Sequence, residues 1–130
     1  MVDVLKKEVK YQFDEAVKRV EQACISEGFG HLLTKAIDPI FKEKLNVEYP
    51  RYTFILACAP ELSKKALDIS KDVGTIFPCS FVVYEEGDRV LIAHTSIMKI
   101  AVEAGLASEE AMKPIIEETR IRVRGVWDKI

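Results

Sequence analysis

Ser80-Phe81-Val82-Val83-Tyr84-Glu85, followed by Glu86-Gly87-Asp88 and then Arg89-Val90-Leu91-Ile92-Ala93-His94-Thr95, is the stretch that decides the fold. Two runs rich in β-branched and aromatic residues flank a short turn that contains a glycine, which is the pattern of a β-hairpin. Its strands must pair antiparallel. Upstream, Tyr52 to Cys58 is the most apolar strand, with Tyr52, Phe54, Leu56 and Cys58 on one face and Thr53, Ile55 and Ala57 on the other. Both of its faces read as dry. Val9, Tyr11 and Phe13 alternate with Glu8, Lys10 and Gln12 as a further strand, and Gly30 to Ile37 supplies another.

Helices fill the intervals. Asp14 is expected to cap a helix whose apolar stripe is Ala16, Val17, Val20, Ala23 and Cys24, with Gly28 as its left-handed stop. Asp38 before Pro39 is an N-cap and first-turn proline for a short helix toward Asn46. Pro60 opens a helix with Leu62, Ala66 and Ile69 inward, and Asp72-Val73-Gly74 leads out of it. Ile97 to Ala104 is a short helix ended by Gly105. Ser108 caps a last helix whose stripe is Met112, Ile116, Val123, Trp127 and Ile130, with a kink or broken start at Pro114. Five strands and interspersed helices make an α+β domain.

The 130 residues are expected to form a single domain, 1–130, able to bury roughly two thirds of its unfolded surface. Net charge −2 excludes a strongly basic nucleic-acid coat. The longest apolar run, Phe54 to Ala59, cannot span a bilayer, and Met1 to Lys10 holds no apolar stretch of signal-peptide length. We therefore expect a cytoplasmic protein with neither a membrane nor a nucleic-acid partner. Three cysteines, an odd count, fit reduced thiols better than a disulfide framework. Gln12, Gln22 and Asn46 are the only side-chain amides among many lysines and glutamates, a composition that points to a heat-adapted source. Because the strands are apolar on both faces and the helices of so short a chain cover one, a homodimer is expected.

Two cysteines lie at strand boundaries close to prolines, in Ala57-Cys58-Ala59-Pro60 and Phe77-Pro78-Cys79-Ser80. Together with Phe13-Asp14-Glu15-Ala16-Val17, Glu27-Gly28-Phe29-Gly30, Ile37-Asp38 and Val82-Val83-Tyr84-Glu85, these stretches resemble the domain-of-unknown-function 302 family. The resemblance implies a curved, mostly antiparallel sheet of about five strands with helices mainly on one face, a TATA-binding-protein-like arrangement. It implies a pocket position and no reaction. The family pattern carries asparagine after each cysteine, where this chain has Ala59 and Ser80; alanine before Pro60 forfeits on the order of 1 kcal/mol of helix capping.

Cys58 ends a strand just before a helix amino terminus, where free amide donors favour a thiolate. The same residue fits equally as small apolar packing. Spacing gives no zinc site, since Cys58, Cys79, His31 and His94 lack any paired motif, although a two-coordinate soft-metal site needs only two thiolates. His94 shares a strand face with Val90 and Ile92 and reads as a satisfied core or rim histidine, and His31 is read in the same way. The leading expectation is a small-ligand or soft-metal binding module with Cys58, Cys79, Pro60 and Ser80 at its pocket, with the cofactor unassigned. The alternatives are a thiol enzyme using Cys58 as nucleophile and a structural or interaction domain with inert thiols. Whether Cys58 and Cys79 are neighbours depends on their strands being antiparallel. The seven residues from Asp72 to Pro78 can carry the chain back about 20 Å, and the family resemblance favours that course.

Overall fold

A computed structural model describes residues 2–130. The chain runs β1 (Val4–Val9), α1 (Phe13–Ser26), β2 (Gly30–Ala36), α2 (Asp38–Leu45), β3 (Tyr52–Cys58), α3 (Pro60–Ile69), a 3-10 turn (Lys71–Ile76), β4 (Cys79–Glu86), β5 (Arg89–Thr95), α4 (Ile97–Glu103) and α5 (Glu109–Lys129). The strands form a single sheet in the order β1-β5-β4-β3-β2 with every neighbouring pair antiparallel. This is the curved α+β arrangement that the resemblance implies.

Burial alternates along β3 and β4, as a sheet covered on one side requires, whereas β5 is buried at successive residues from Leu91 to His94. Thr53, Ile55 and Ala57 of β3, Cys79, Phe81 and Val83 of β4, and Ile92 and His94 of β5 lie buried beneath the helices. Helix α1 packs across this face, and α5 packs on α1, α3 and α4. Fully enclosed side chains at the centre include Phe81, Ile55, Ile92, Met112 and Val20. Lys7 reaches from β1 to the end of α5, where its Nζ donates to the carbonyl oxygens of Trp127 at 2.6 Å and Ile130 at 3.0 Å. That cation satisfies acceptors which a helix terminus leaves open.

Several boundaries differ from the sequence reading. The first strand ends at Val9 rather than continuing to Phe13, because Phe13 is the first inward residue of α1. Only Val9 of β1 is buried, so this edge strand shows no apolar period of its own. Asp14 does not cap α1; Gln12 occupies that position, and Asp14 accepts an ion pair from Arg51 at 2.6 Å. Asp38 begins α2 instead of preceding it, and its Oδ1 accepts the Tyr52 amide at 3.0 Å, tying α2 to the start of β3. Ile69 is 39% exposed, since α3 ends there and Val73 of the 3-10 turn takes the inward place. Helix α5 runs on through Pro114, where the missing donor falls near an exposed first turn. Its inward stripe is Met112, Ile115, Thr119, Val123 and Val126, with Ile116, Trp127 and Ile130 only partly covered. The second face of β3 is not dry within the chain: Tyr52, Phe54 and Leu56 are half-buried.

Candidate functional site

Strands β3 and β4 bring the cysteines to one end of the sheet. In register, Ala57 faces Cys79, so Cys58 is the next residue along from the Cys79 partner. Strand alternation alone would turn the two side chains to opposite faces. At Cys58, however, the strand gives way to α3, and both cysteines line one cavity of about 310 Å³. Its walls are otherwise almost wholly apolar, including Phe29, Leu62, Phe77 and Met98. Small-molecule sites are commonly concave and apolar, with volumes from about 300 Å³ upward. Pro60 and Ser80 do not line this cavity. Pro60 is exposed at the start of α3, and Ser80 projects with the outer residues of β4.

The two thiols differ in chemistry. Burial pushes the Cys79 thiol up to about 12, with the charge of Cys58 adding to the effect. Cys24, packed in α1, is likewise raised to about 12 by burial, assisted by Cys79 and Glu21. Neither supplies a thiolate near neutral pH. Cys58 is half-buried, and its Sγ lies 2.9 Å from Ser63 Oγ. Ser63 Oγ also lies 3.0 Å from the Ala59 carbonyl, which already accepts the Leu62 and Ser63 amides, so its one proton can serve either that carbonyl or the Cys58 sulfur. Ala59 caps α3 without a side-chain hydrogen bond. Cys58 thus sits at the mouth of an apolar cavity with a hydroxyl against its sulfur.

The histidines separate. His31 is exposed, 2.7 Å from Thr34 Oγ1 and 3.4 Å from Glu21 Oε2, on the first stretch of β2. His94 is only 4% exposed and stacks on Phe81, with ring centroids 4.2 Å apart. Its Nδ1 meets the Ser80 carbonyl at 2.8 Å, while Nε2 has no hydrogen-bond partner among the described residues. It is therefore a core histidine satisfied at one nitrogen only. The Val90-Ile92-His94 alternation reveals its burial, but nothing local in the sequence reveals the open nitrogen, which depends on what α5 brings across. Two of the arginines of α5 are engaged in ion pairs, Arg120 with Glu117 and Arg122 with both Glu61 and Glu118. Among the described residues no group of three His, Cys, Asp or Glu side chains is placed to hold a metal ion.

Compared with known proteins, the chain matches the family model described as domain of unknown function DUF302 over residues 5–130. It belongs to the DUF302 family. The match extends past the residues 13–85 spanned by the motifs and takes in most of β1 and the whole of α5. A crystal structure of an uncharacterized conserved protein DUF302 from Bacillus stearothermophilus is similar at a TM-score of 0.85 and 22% identity, covering 97% of this chain and 96% of that one. At that identity the likeness establishes a shared DUF302 fold. No curated protein matches the chain. Among the described residues no helix is long and apolar enough to cross a membrane.

Proposed function

We propose that this DUF302 protein is a small-ligand binding module of a reducing, cytoplasmic compartment, with its ligand seated in the cavity beside Cys58 and Cys79. The observation that carries this reading is that two residues 21 positions apart in sequence border one apolar cavity of about 310 Å³. The ligand is apolar in its main body, because Phe29, Leu62, Phe77 and Met98 offer no hydrogen bonds to anything inside. The thiol-enzyme reading is left with Cys58 alone as nucleophile, since burial holds Cys79 protonated and no paired-thiol chemistry is open to it near neutral pH. Toluene is a direct probe. Saturable shifts of the Met98 and Leu62 methyl resonances, abolished by Leu62→Trp filling the cavity in a folded variant, support the reading; no saturable shift rejects it. A soft-metal version predicts copper(I) uptake that is lost in both Cys58→Ser and Cys79→Ser.

We also propose that a second copy covers the outer face of the sheet. Tyr52 stacks nearly parallel on Tyr84 with centroids 5.4 Å apart, Phe54 adjoins Tyr52, and Leu56 and Val82 continue the half-buried apolar surface. Extended apolar patches of this kind are the usual cores of subunit interfaces. Sedimentation should give a dimer that Phe54→Glu dissociates. A wild-type monomer at high micromolar concentration rejects the pairing.

A further inference from the structure

A second cavity, of about 360 Å³, lies between the β1 to β5 edge of the sheet and helix α5, and His94 is part of its wall. Its other walls combine apolar side chains, Leu5, Ile116, Val123 and Trp127, with Ser96 and Thr119. Thr119 also borders the cysteine cavity and so stands between the two. Its hydroxyl donates to the Ile115 carbonyl at 2.8 Å, which commits its proton to the helix. Ser96 Oγ accepts the Lys99 amide, which leaves its hydroxyl proton and the imidazole as the uncharged polar groups open to an occupant.

Proton placement fixes what that imidazole can do. The Ser80 carbonyl can only accept, so Nδ1 carries the hydrogen in that 2.8 Å contact. Burial disfavours the imidazolium and lowers the His94 pKa, with the Ser80 contact acting weakly against that, so near neutral pH the ring is the neutral Nδ1–H tautomer. Nε2 is then a lone-pair acceptor with no partner among the described residues, inside a side chain that is only 4% exposed, and the atom itself is sealed from solvent, so an occupant of the cavity reaches it only when a wall side chain shifts. A buried acceptor left unpaired is costly, and satisfying it is correspondingly favourable. The charged residues at the same cavity are Lys99, Arg120 and Arg124 against Asp3 and Asp128, and Arg120 is already paired with Glu117. That balance selects neither an anion nor a cation.

We propose that this cavity is a second binding site, distinct from the cysteine cavity, for a neutral apolar molecule bearing one hydroxyl donor, of the phenol class, whose O–H donates to His94 Nε2. The apolar body lies against Trp127, Val123 and Leu5, and the hydroxyl supplies the hydrogen bond that the fold leaves open. Metal capture at Nε2 is disfavoured because the described residues provide no second and third ligand around it.

The test compares phenol with anisole, which has a similar ring and no donor. Two readouts are local to this cavity: the emission of Trp127, the only tryptophan in the chain, and the 15N resonance of unprotonated His94 Nε2. Phenol should bind saturably, moving the Nε2 resonance in the direction of hydrogen-bond acceptance, and anisole should bind on the order of tenfold more weakly because it leaves the acceptor unpaired. His94→Phe keeps a ring against Phe81 and should abolish the preference. Equal affinity for the two probes, a preference that survives in H94F, or no saturable response, as when water alone serves Nε2, overturns the proposal. Should H94F fail to fold, the wild-type 15N measurement with both probes still decides. Neither readout reports on the cysteine cavity, so failure here leaves the toluene test standing, and the reverse holds too.

Discussion

The two cavities meet at Thr119 yet are built differently. The cysteine cavity draws most of its wall from β3, α3 and the segment entering β4, whereas the histidine cavity depends on residues of α5 lying against β1 and β5. Thiols border the first and a half-satisfied imidazole the second. One is assembled by strand neighbours around an intervening helix, the other by the two ends of the chain closing on each other. The contrast shows that chemistry in a small sheet protein can be set by an appended helix as much as by the sheet.

Removing that helix is the largest perturbation available. A chain ending before Ile121 loses Val123 and Val126, both buried, together with the Lys7 contacts to the last carbonyls. Burying such side chains is worth about 1.5–3 kcal/mol each, a large part of a small domain's stability. The truncated protein should be unfolded or molten in urea titration and near-UV circular dichroism. If it melts within a few degrees of the full chain, α5 is an appendage and the histidine cavity belongs to the sheet alone.

Next in size is Phe81, which packs behind one wall residue of each cavity. It is fully buried, stacked on His94 and set edge-on to Phe29 at 6.5 Å, and Phe29 borders the cysteine cavity. Phe81→Ala should cost about 3–5 kcal/mol. Phe41 packs edge-on against exposed Tyr49 at 5.0 Å outside the core, so Phe41→Ala should cost far less. Denaturant midpoints of the two variants measure the difference. Equal losses would mean that the sheet core is not what holds His94 and Phe29 at the two cavities.

Much of this was legible in the chain and some was not, for reasons that particular residues make plain. Strands β3 and β5 announced themselves because they are apolar, regular and bounded by turn residues; the limits of both match the sequence reading. Strand β1 did not, since Val4 and Leu5 lie exposed on an edge and their pairing with Thr95 and His94 is a contact across the whole chain. The cysteines could be placed together once β3 and β4 were antiparallel, as the family resemblance favoured. The open Nε2 of His94 could not, because it depends on Ser80 engaging one nitrogen and on α5 bringing nothing to the other.

A smaller effect tests the imidazole alone. With its folded pKa held below the ordinary 6.5 by burial, His94 takes up a proton less readily than the unfolded chain does. Stability should therefore fall as pH drops through about 6.5 and continue to fall until the folded protein itself protonates. Exposed carboxylates with lowered pKa, Glu8 beside Arg89 and Glu117 beside Arg120, lose their contribution only as pH falls from their ordinary 4.5. Urea titrations between pH 7 and 5 should show the slope in wild type and its loss in His94→Phe. An unchanged slope in the variant would assign it to other groups.

The smallest effect separates the thiols. Iodoacetamide should modify Cys58 well before Cys79 or Cys24, because Cys58 is half-exposed while the other two are buried and pushed up to about 12. Only the thiolate reacts, so near neutral pH burial and protonation both protect Cys79. Cys58→Ala should cost only about 0.5–1.5 kcal/mol, the worth of the Ser63 contact, since that side chain is not enclosed. Cys79→Ser should cost more, because its hydroxyl enters an apolar wall with no partner provided. Peptide mapping of the alkylated protein and denaturant midpoints of the two variants check both halves. Modification of Cys79 at the rate of Cys58 would show that the cavity opens to solvent more widely than its walls imply, and would return the paired-thiol chemistry to contention.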